Sequence, residues 1–292
     1  MSFEAILQVL LSGLLMGLIY ALIASGLSLI FGLMDVVNFA HGEFLMVAMY
    51  LMFGLVTVTG LDPLLLWPVV TACLFLLGSG VYLGIIRYTM RAKTNRGMVQ
   101  VFTTFGLGLI LMGLAQSLLS PDYRSIGHTW ISGKSVSVAG IYMPLPQLVG
   151  GVASVAAFVL IWLMITMTDF GKALEATRED AGAVALVGID KNLIFTLGWG
   201  FGGALSGLAG SILATFFYIY PSVGSSFLLT AFVTVALGGF GSVYGALAAG
   251  IIIGLVEATT AVILTPALKS LGVFTVYLAV VVLRPRGLFG SS

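Results

Sequence analysis

Residues 146–167, PQLVGGVASVAAFVLIWLMITM, carry no charged side chain and are long enough to cross a lipid bilayer as a helix. Similar stretches fill most of the 292-residue chain, in which 60% of the residues are hydrophobic and only 8% are charged. A soluble domain has roughly 25% charged residues. Because backbone groups in lipid must satisfy their own hydrogen bonds, such long apolar runs predict an all-α integral membrane protein. The alternating pattern of a β-barrel is absent.

Working outward from this stretch, the sequence predicts one transmembrane domain, residues 1–292, built as a polytopic bundle of eight or nine transmembrane helices. The apolar segments lie at about 5–31, 43–60, 64–86, 99–119, 146–167, 194–218, 226–239, 243–265 and 270–284. The seventh segment is too short to cross comfortably and ends in the Gly-rich stretch 238–242. We therefore expect a broken or re-entrant segment there, buried in protein or lining a cavity.

Small residues recur every four positions in the first and sixth segments. The two series are Gly13, Gly17, Ala21 and Ser25, and Gly198, Gly202, Ser206 and Gly210. At helical spacing they form smooth stripes against which another helix backbone can lie closely. The sequence therefore predicts a tightly packed bundle.

Basic residues predict the orientation, because loops rich in Lys and Arg stay in the cytoplasm. Three groups follow the third, fifth and last segments: Arg87, Arg91, Lys93 and Arg96; Lys172, Arg178 and Lys191; and Arg284 and Arg286. An even number of segments separates the groups, so we expect all three, and the C-terminus, in the cytoplasm. Residues 120–145 then form the main external loop. Nine segments would place the N-terminus outside, and eight would place it inside.

Several classes of function are disfavoured by the composition. The net charge of +1 argues against nucleic acid as a partner, and the lone Cys73 excludes an intrachain disulfide and a Cys-based metal site. No G-x-x-x-x-G-K-[ST] motif is present, so we expect no ATP bound in the Walker manner. His128 is expected on the surface of the external loop. Glu257, the single acid of the eighth segment, fits either an interfacial position or a cavity-facing one.

Four polar residues interrupt the chain between the first two segments: Asp35, Asn38, His41 and Glu43. They require water, protein or a ligand as a partner. We expect Asn38 and His41 to share a helix face and Gly42 to allow the chain to break. A solvated turn, a buried network that fixes a discontinuous helix, and direct contact with a transported solute all fit the pattern. A metal site is not expected, because one imidazole beside carboxylates lacks the ligand set that zinc prefers.

Residues 168–193, TDFGKALEATREDAGAVALVGIDKNL, form the longest charged interruption after the midpoint of the chain. Glu175, Arg178 and Glu179 fall on one face of a predicted short helix. The other face is apolar and carries Ala181, Val184, Ala185 and Leu186. Gly188 is expected to end this helix in the left-handed conformation. An amphipathic helix of this kind fits a partner's groove, although a solvated helical loop would show the same pattern.

Three segments resemble the membrane subunits of bacterial ATP-binding-cassette importers for branched-chain amino acids: NFAHGEFLMVAMY (38–50), FTTFGLGLIL (102–111) and GKALEATREDAGAVALVGID (171–190). The resemblance covers essentially the whole chain and is closer to the H-type permease than to its longer M-type companion. The last segment is similar to the family's permease signature at Ala173, Ala176, Arg178, Glu179, Asp180, Ala185, Gly188 and Ile189. It departs from the signature at Lys172, where many members have Arg, and at Ala183, where a larger residue is common.

The resemblance implies a transport subunit that is not itself an enzyme and lies in the bacterial inner membrane. Two cytoplasmic ATPase subunits would grip a coupling loop at 168–193 through Lys172, Glu175, Arg178, Glu179, Asp180, Ala185 and Gly188. A second permease, M-type or a homologous copy, would complete the path, and a periplasmic binding protein would deliver the solute. ATP is used by the partners, so no cofactor is implied for this chain. The motif indicates the solute only weakly, because similar permeases import urea, amides and small organic acids.

Two other classes fit parts of the sequence. An ion-coupled secondary transporter would use midplane acids and unwound helices, for which residues 238–242 and Glu257 are suggestive, but no matching second half is evident. A channel would need a ring of polar groups lining its pore, for which only the 38–43 cluster is available.

Overall fold

The computed structural model describes residues 3–92, 95–127, 129–138, 140–284 and 287–289. The predicted positions Lys93, His128 and Arg286 lie outside this part of the chain. Its helices are α1 (Phe3–Met34), α2 (His41–Thr59), α3 (Pro63–Thr89, with a π-helical turn at Tyr82–Ile86), α4 (Arg96–Leu119), α5 (Leu145–Met167), α6 (Asp169–Glu179), α7 (Lys191–Leu213), α8 (Val223–Gly238), α9 (Val243–Ile263) and α10 (Pro266–Leu283). Strands β1 (Ser135–Val138) and β2 (Ile141–Pro144) form an antiparallel hairpin.

The predicted all-α membrane bundle is confirmed. Among the described residues, eight helices are long and apolar enough to cross a membrane, and α8 is a shorter apolar helix of 16 residues. Helices α7, α2 and α1 are the most buried, whereas α10 lies at the periphery. Cys73 is exposed on the outer surface of α3.

Close packing through small residues is also confirmed. A Cβ added at Gly17 of α1 would lie 2.7 Å from the Gly250 carbonyl oxygen of α9, so these backbones touch without intervening side chains. On α7, a Cβ at Gly210 would lie 2.5 Å from the Leu45 carbonyl oxygen of α2. Small residues allow this separation, which maximises dispersion contact in a medium that offers no hydrophobic driving force.

The bundle has two distinguishable ends. The hairpin end carries β1 and β2, and the Glu4 side chain of α1 lies against Gly140 there. The loop end carries residues 168–193, and Leu288 near the C-terminus donates its backbone N–H to the Leu237 oxygen at this end, at 2.8 Å. The first and last described residues therefore lie at opposite ends, so the chain passes along the bundle an odd number of times. The shorter helix α8 belongs to the seventh pass in chain order.

Two of these passes are helical for only part of their course. After α1 ends, residues 35–40 return without helix toward the middle of the bundle, where α2 begins. After α7 ends at Leu213, residues 214–222 form turns without regular helix, Ile219 makes a backbone bridge with Arg124, and α8 then begins at Val223. The sixth apolar segment was predicted at about 194–218, and its helix ends earlier, at Leu213, where the chain leaves the helix to form these turns.

Candidate functional site

The four polar residues of the 35–43 segment do not form one cluster. Asp35 is exposed beyond the end of α1 and has a positive φ of 53°, which marks where that helix stops. Asn38, His41 and Glu43 are buried, with exposures of 0%, 0% and 5%. Asn38 accepts from the Ala40 backbone N–H (3.0 Å), and His41 Nε2 lies 2.9 Å from the Ile23 carbonyl oxygen of α1. The three buried side chains lie in or beside the unwound residues between α1 and α2, and these two contacts, from Asn38 and His41, are each to backbone atoms.

Two expectations for this segment were wrong. Asn38 lies before α2 begins and does not share a helix face with His41. The chain breaks at Asp35, and Gly42 lies inside the first turn of α2. Gly42 is needed for a different reason. A Cβ there would collide with the Gly224 carbonyl oxygen of α8, and a Cβ at Gly224 would lie 2.5 Å from the Gly42 carbonyl oxygen.

The N-termini of α2 and α8 therefore meet inside the bundle, approached from opposite ends. Each N-terminus carries unpaired N–H groups and partial positive charge. The Glu43 carboxylate lies at this junction, and its Oε2 is 2.8 Å from the position that a Cβ on Gly224 would take. Within the described residues, Glu43 Oε2, His41 Nδ1 and Asn38 Nδ2 are buried without a hydrogen-bond partner. The junction therefore contains three buried polar atoms that are each able to form a further hydrogen bond.

The unwound segment before α2 is held by one side chain of α4. The Thr104 hydroxyl accepts from the Phe39 backbone N–H at 3.2 Å and lies 3.2 Å from the Val37 carbonyl oxygen. Thr104 has 0% exposure. Sequence reasoning quoted this stretch for its resemblance but did not identify the residue. Several polar residues lie in this helix, including the adjacent Thr103, so the sequence alone did not single out Thr104.

The polar loop is two short helices and not one. Helix α6 begins at the Thr168 cap, whose hydroxyl accepts from the Gly171 backbone N–H at 3.2 Å, and it ends at Glu179. A single 3-10 turn, Ala183–Val187, follows and stops at Gly188, which has the predicted left-handed φ of 82°. The chain breaks because the Asp180 carboxylate accepts from the backbone N–H groups of residues 182 and 183, at 2.7 and 2.9 Å. Side-chain capping of this kind competes with helix continuation.

These two hydrogen bonds lower the pKa of the Asp180 carboxyl below its ordinary value. A carboxylate with a lowered pKa stabilises the folded loop above its unfolded pKa and loses that contribution as the pH falls through the folded value. The cap is therefore ionised at neutral pH.

The seven predicted coupling residues, Lys172, Glu175, Arg178, Glu179, Asp180, Ala185 and Gly188, are all exposed. Lys172 pairs with Asp169 at 3.2 Å on the surface. The Arg178 guanidinium reaches back toward the bundle, because a Cβ on Gly241 in the α8–α9 turn would lie 3.2 Å from it. Arg178 and Glu175 border a cavity of about 230 Å³ that also touches Gly32, near the end of α1.

The tip of this loop exposes two apolar residues, of which Leu186 was predicted on the wrong face and Val187 was not assigned to a face. Leu186 was predicted on the same face as Val184. Val184 is buried, at 4% exposure, but Leu186 and Val187 are 89% and 75% exposed. Leu186 and Val187 therefore form a small exposed apolar surface in a loop whose other exposed residues include charged ones. The αL Gly188 after an apolar pair was the signal available in the sequence.

Glu257 faces a cavity, which was one of its two predicted environments. The cavity opens at the hairpin end, and Lys269 pairs with Glu257 there at 2.5 Å. In the part of the chain that the structure describes, no three His, Cys, Asp or Glu side chains are grouped to hold a metal ion.

Comparison with known proteins agrees with this architecture. Residues 9–283 match the profile of the family described as the permease component of branched-chain amino acid transport systems. The chain belongs to this family. It is therefore a multi-pass membrane protein of the branched-chain amino acid permease type.

Two of the curated relatives match it over nearly their full length. The high-affinity branched-chain amino acid transport system permease protein BraD of Pseudomonas aeruginosa is 29% identical, covering 97% of this chain and 95% of its own. The permease LivH of Escherichia coli K12 is 26% identical, with coverage of 99% and 97%. The ribose import permease RbsC of Bacillus subtilis is 31% identical over 49% of this chain and 43% of its own. No solved structure matches the chain significantly.

Proposed function

We propose that this chain is one membrane-spanning subunit of an ATP-driven importer for branched-chain amino acids or a related small polar solute. It contributes the path and the coupling lever, and it binds no cofactor of its own. Two ATPase subunits dock at the loop end, which lies in the cytoplasm together with the C-terminus. A second permease, M-type or a homologous copy, completes the path. A periplasmic binding protein docks at the hairpin end, including residues 120–145, and the assembly lies in the bacterial inner membrane.

The single observation that carries this proposal is the position of helix α6 and the 3-10 turn. One side of this unit is buried through Leu174 and Val184, at 7% and 4% exposure. Its other side exposes charges and the apolar pair Leu186 and Val187. Arg178 lies beside Gly241 of the α8–α9 turn. A partner that moves this unit would therefore act directly on the turn that ends the broken crossing of α8.

The decisive experiment reverses two charges on the exposed side, Arg178→Glu with Glu179→Arg. The net charge stays the same, but the pattern that a partner reads is scrambled. Loss of a docking anchor commonly weakens binding by about fivefold or more. We expect the double variant to lose co-purification of the ATPase subunits and solute-stimulated ATP hydrolysis in proteoliposomes.

Arg96→Glu provides the matched control, because Arg96 is exposed at the loop end outside residues 168–193 and donates from Nε to the Ala92 oxygen at 2.9 Å. A solvated surface charge is worth only a few tenths of a kcal/mol. If the double variant couples as well as Arg96→Glu at equal expression, the loop is not the coupling element. Uptake that persists without ATP but stops when the proton gradient collapses would instead indicate an ion-coupled carrier.

A further inference from the structure

The cavity at the hairpin end has a volume of about 530 Å³ and lies between α1, α9 and the β-hairpin. This volume is within the range of small-molecule sites. Its walls are mixed in character. Phe216, Phe217 and Met16 supply apolar surface, and Gln8 and Gln147 supply amides.

Two opposite charges face this cavity on neighbouring helices. Glu257 of α9 and Lys269 of α10 approach to 2.5 Å, and their side chains are 15% and 45% exposed. Tyr20 of α1 lines the same cavity as Glu257. An ammonium has three donors and a carboxylate has about four acceptor positions, so a single contact leaves both groups able to bind more.

The position of Lys269 is not explained by its own helix. It lies in the first full turn of α10, where the helix dipole disfavours a cation and favours an anion. Lys269 and the helix terminus together make this wall of the cavity attractive to a carboxylate. A bound cation would instead need an acceptor, and the Glu257 carboxylate supplies one in the cavity that Tyr20 also lines.

We propose that this cavity is a binding site for a zwitterionic α-amino acid with an apolar side chain. The solute carboxylate binds Lys269, the solute ammonium binds Glu257, and the apolar side chain packs on the wall formed by Phe216 and Phe217. Binding opens the ion pair and replaces it with two pairs of the same kind, so no charge is left uncompensated. The inference rests on the proposed function and adds a site within this subunit at which the solute is held.

A purely structural ion pair makes a different prediction. When one partner of a partly buried ion pair is removed, the more buried group, here Glu257 at 15% exposure, loses its compensating charge, but removal of both is often neutral. The double variant Glu257→Gln with Lys269→Met therefore separates the two roles. It should fold and remain coupled to ATP hydrolysis under either role, yet only a solute site should lose transport.

The experiment uses the complete importer in proteoliposomes, with saturating binding protein and radiolabelled L-leucine. Wild-type ATP-dependent uptake is measured first, and its absence would refute the proposed function. If the wild type transports, we expect the two single variants and the double variant each to reduce the leucine uptake rate at least about tenfold. Glu4→Gln, an exposed acid at the same end, should match the wild type.

A second measurement tests whether both the carboxylate and the ammonium of the solute are needed for binding. Isocaproate lacks the ammonium and isoamylamine lacks the carboxylate. In the wild type, each compound should compete with radiolabelled leucine at the permease step at least about tenfold less effectively than unlabelled leucine does. Normal leucine uptake by the double variant would overturn the site while leaving the importer assignment intact. Recovery of uptake in the double variant, with losses only in the singles, would likewise reduce Glu257 and Lys269 to a structural bridge.

Discussion

Gly42 and Gly224 control the closest backbone contact between the two broken crossings. Each position admits no Cβ, because the other residue's carbonyl oxygen occupies the space. The sequence analysis singled out Gly42 as the place where the chain breaks, whereas its role is to let the Gly224 backbone approach. A single sequence does not show which backbone lies opposite a glycine. The contact joins residues far apart in the chain, so no local pattern could reveal it.

The first prediction compares two glycines of α2. Gly42→Ala inserts a methyl group into backbone and should destabilise the protein by about 1–3 kcal/mol, the usual range for overpacking. Gly54→Ala, on the same helix with nothing within 4 Å of an added Cβ, should leave stability unchanged or slightly raised. Thermal unfolding in detergent measures both. Equal melting temperatures would show that the two helix starts do not touch.

At the scale of elements, helix existence was predictable and a broken seventh segment was expected, but the unwound part of that pass lies before α8 and not at the Gly-rich stretch 238–242. Length and hydropathy predicted all nine apolar segments, because crossing a bilayer requires about 20 apolar residues. The unwound residues 35–40 and 214–222 are short, and their stability comes from partners elsewhere in the chain. Thr104 is one such partner for the first segment, and the Arg124–Ile219 bridge anchors the second.

The second prediction tests this anchoring with neighbouring threonines. Thr104→Val keeps the shape but removes the hydroxyl that the Phe39 N–H requires, so a buried donor loses its partner at about 1–3 kcal/mol. Thr103→Val removes a hydroxyl that bonds only within its own helix, to the Val99 oxygen at 2.7 Å. We expect lower thermal stability and reduced uptake for Thr104→Val only, and rescue by Thr104→Ser. Matching behaviour of the two valine variants would remove Thr104 from this role.

At the scale of the whole molecule, the composition and basic loops predicted a membrane bundle and its orientation, while the number of passes stayed open. In the structure, Glu4 lies at the hairpin end and Leu288 lies at the opposite end, beside the α8–α9 turn. The number of passes between them is therefore odd. Hydropathy counts helices of sufficient length, whereas the seventh pass combines a 16-residue helix with unwound chain.

The third prediction concerns sidedness. In a Cys73-free background, Phe3→Cys and Ser132→Cys should react with an impermeant thiol reagent in intact spheroplasts, and Gly182→Cys only in inverted vesicles. Phe3 is 79% exposed at the hairpin end. Labelling of Phe3→Cys together with Gly182→Cys would mean an even number of passes. Reversal of all three would overturn the orientation derived from Lys and Arg.

An odd number of passes has a practical consequence for building paired permeases from one gene. The C-terminus of one copy and the N-terminus of the next emerge on opposite sides of the bilayer, so a flexible soluble linker would leave the second copy inverted. A covalent tandem with both copies parallel needs an additional hydrophobic helix of about 20 residues between them. A head-to-tail fusion with a polar linker should therefore fail to assemble as a parallel pair, whereas two separate chains are free to do so.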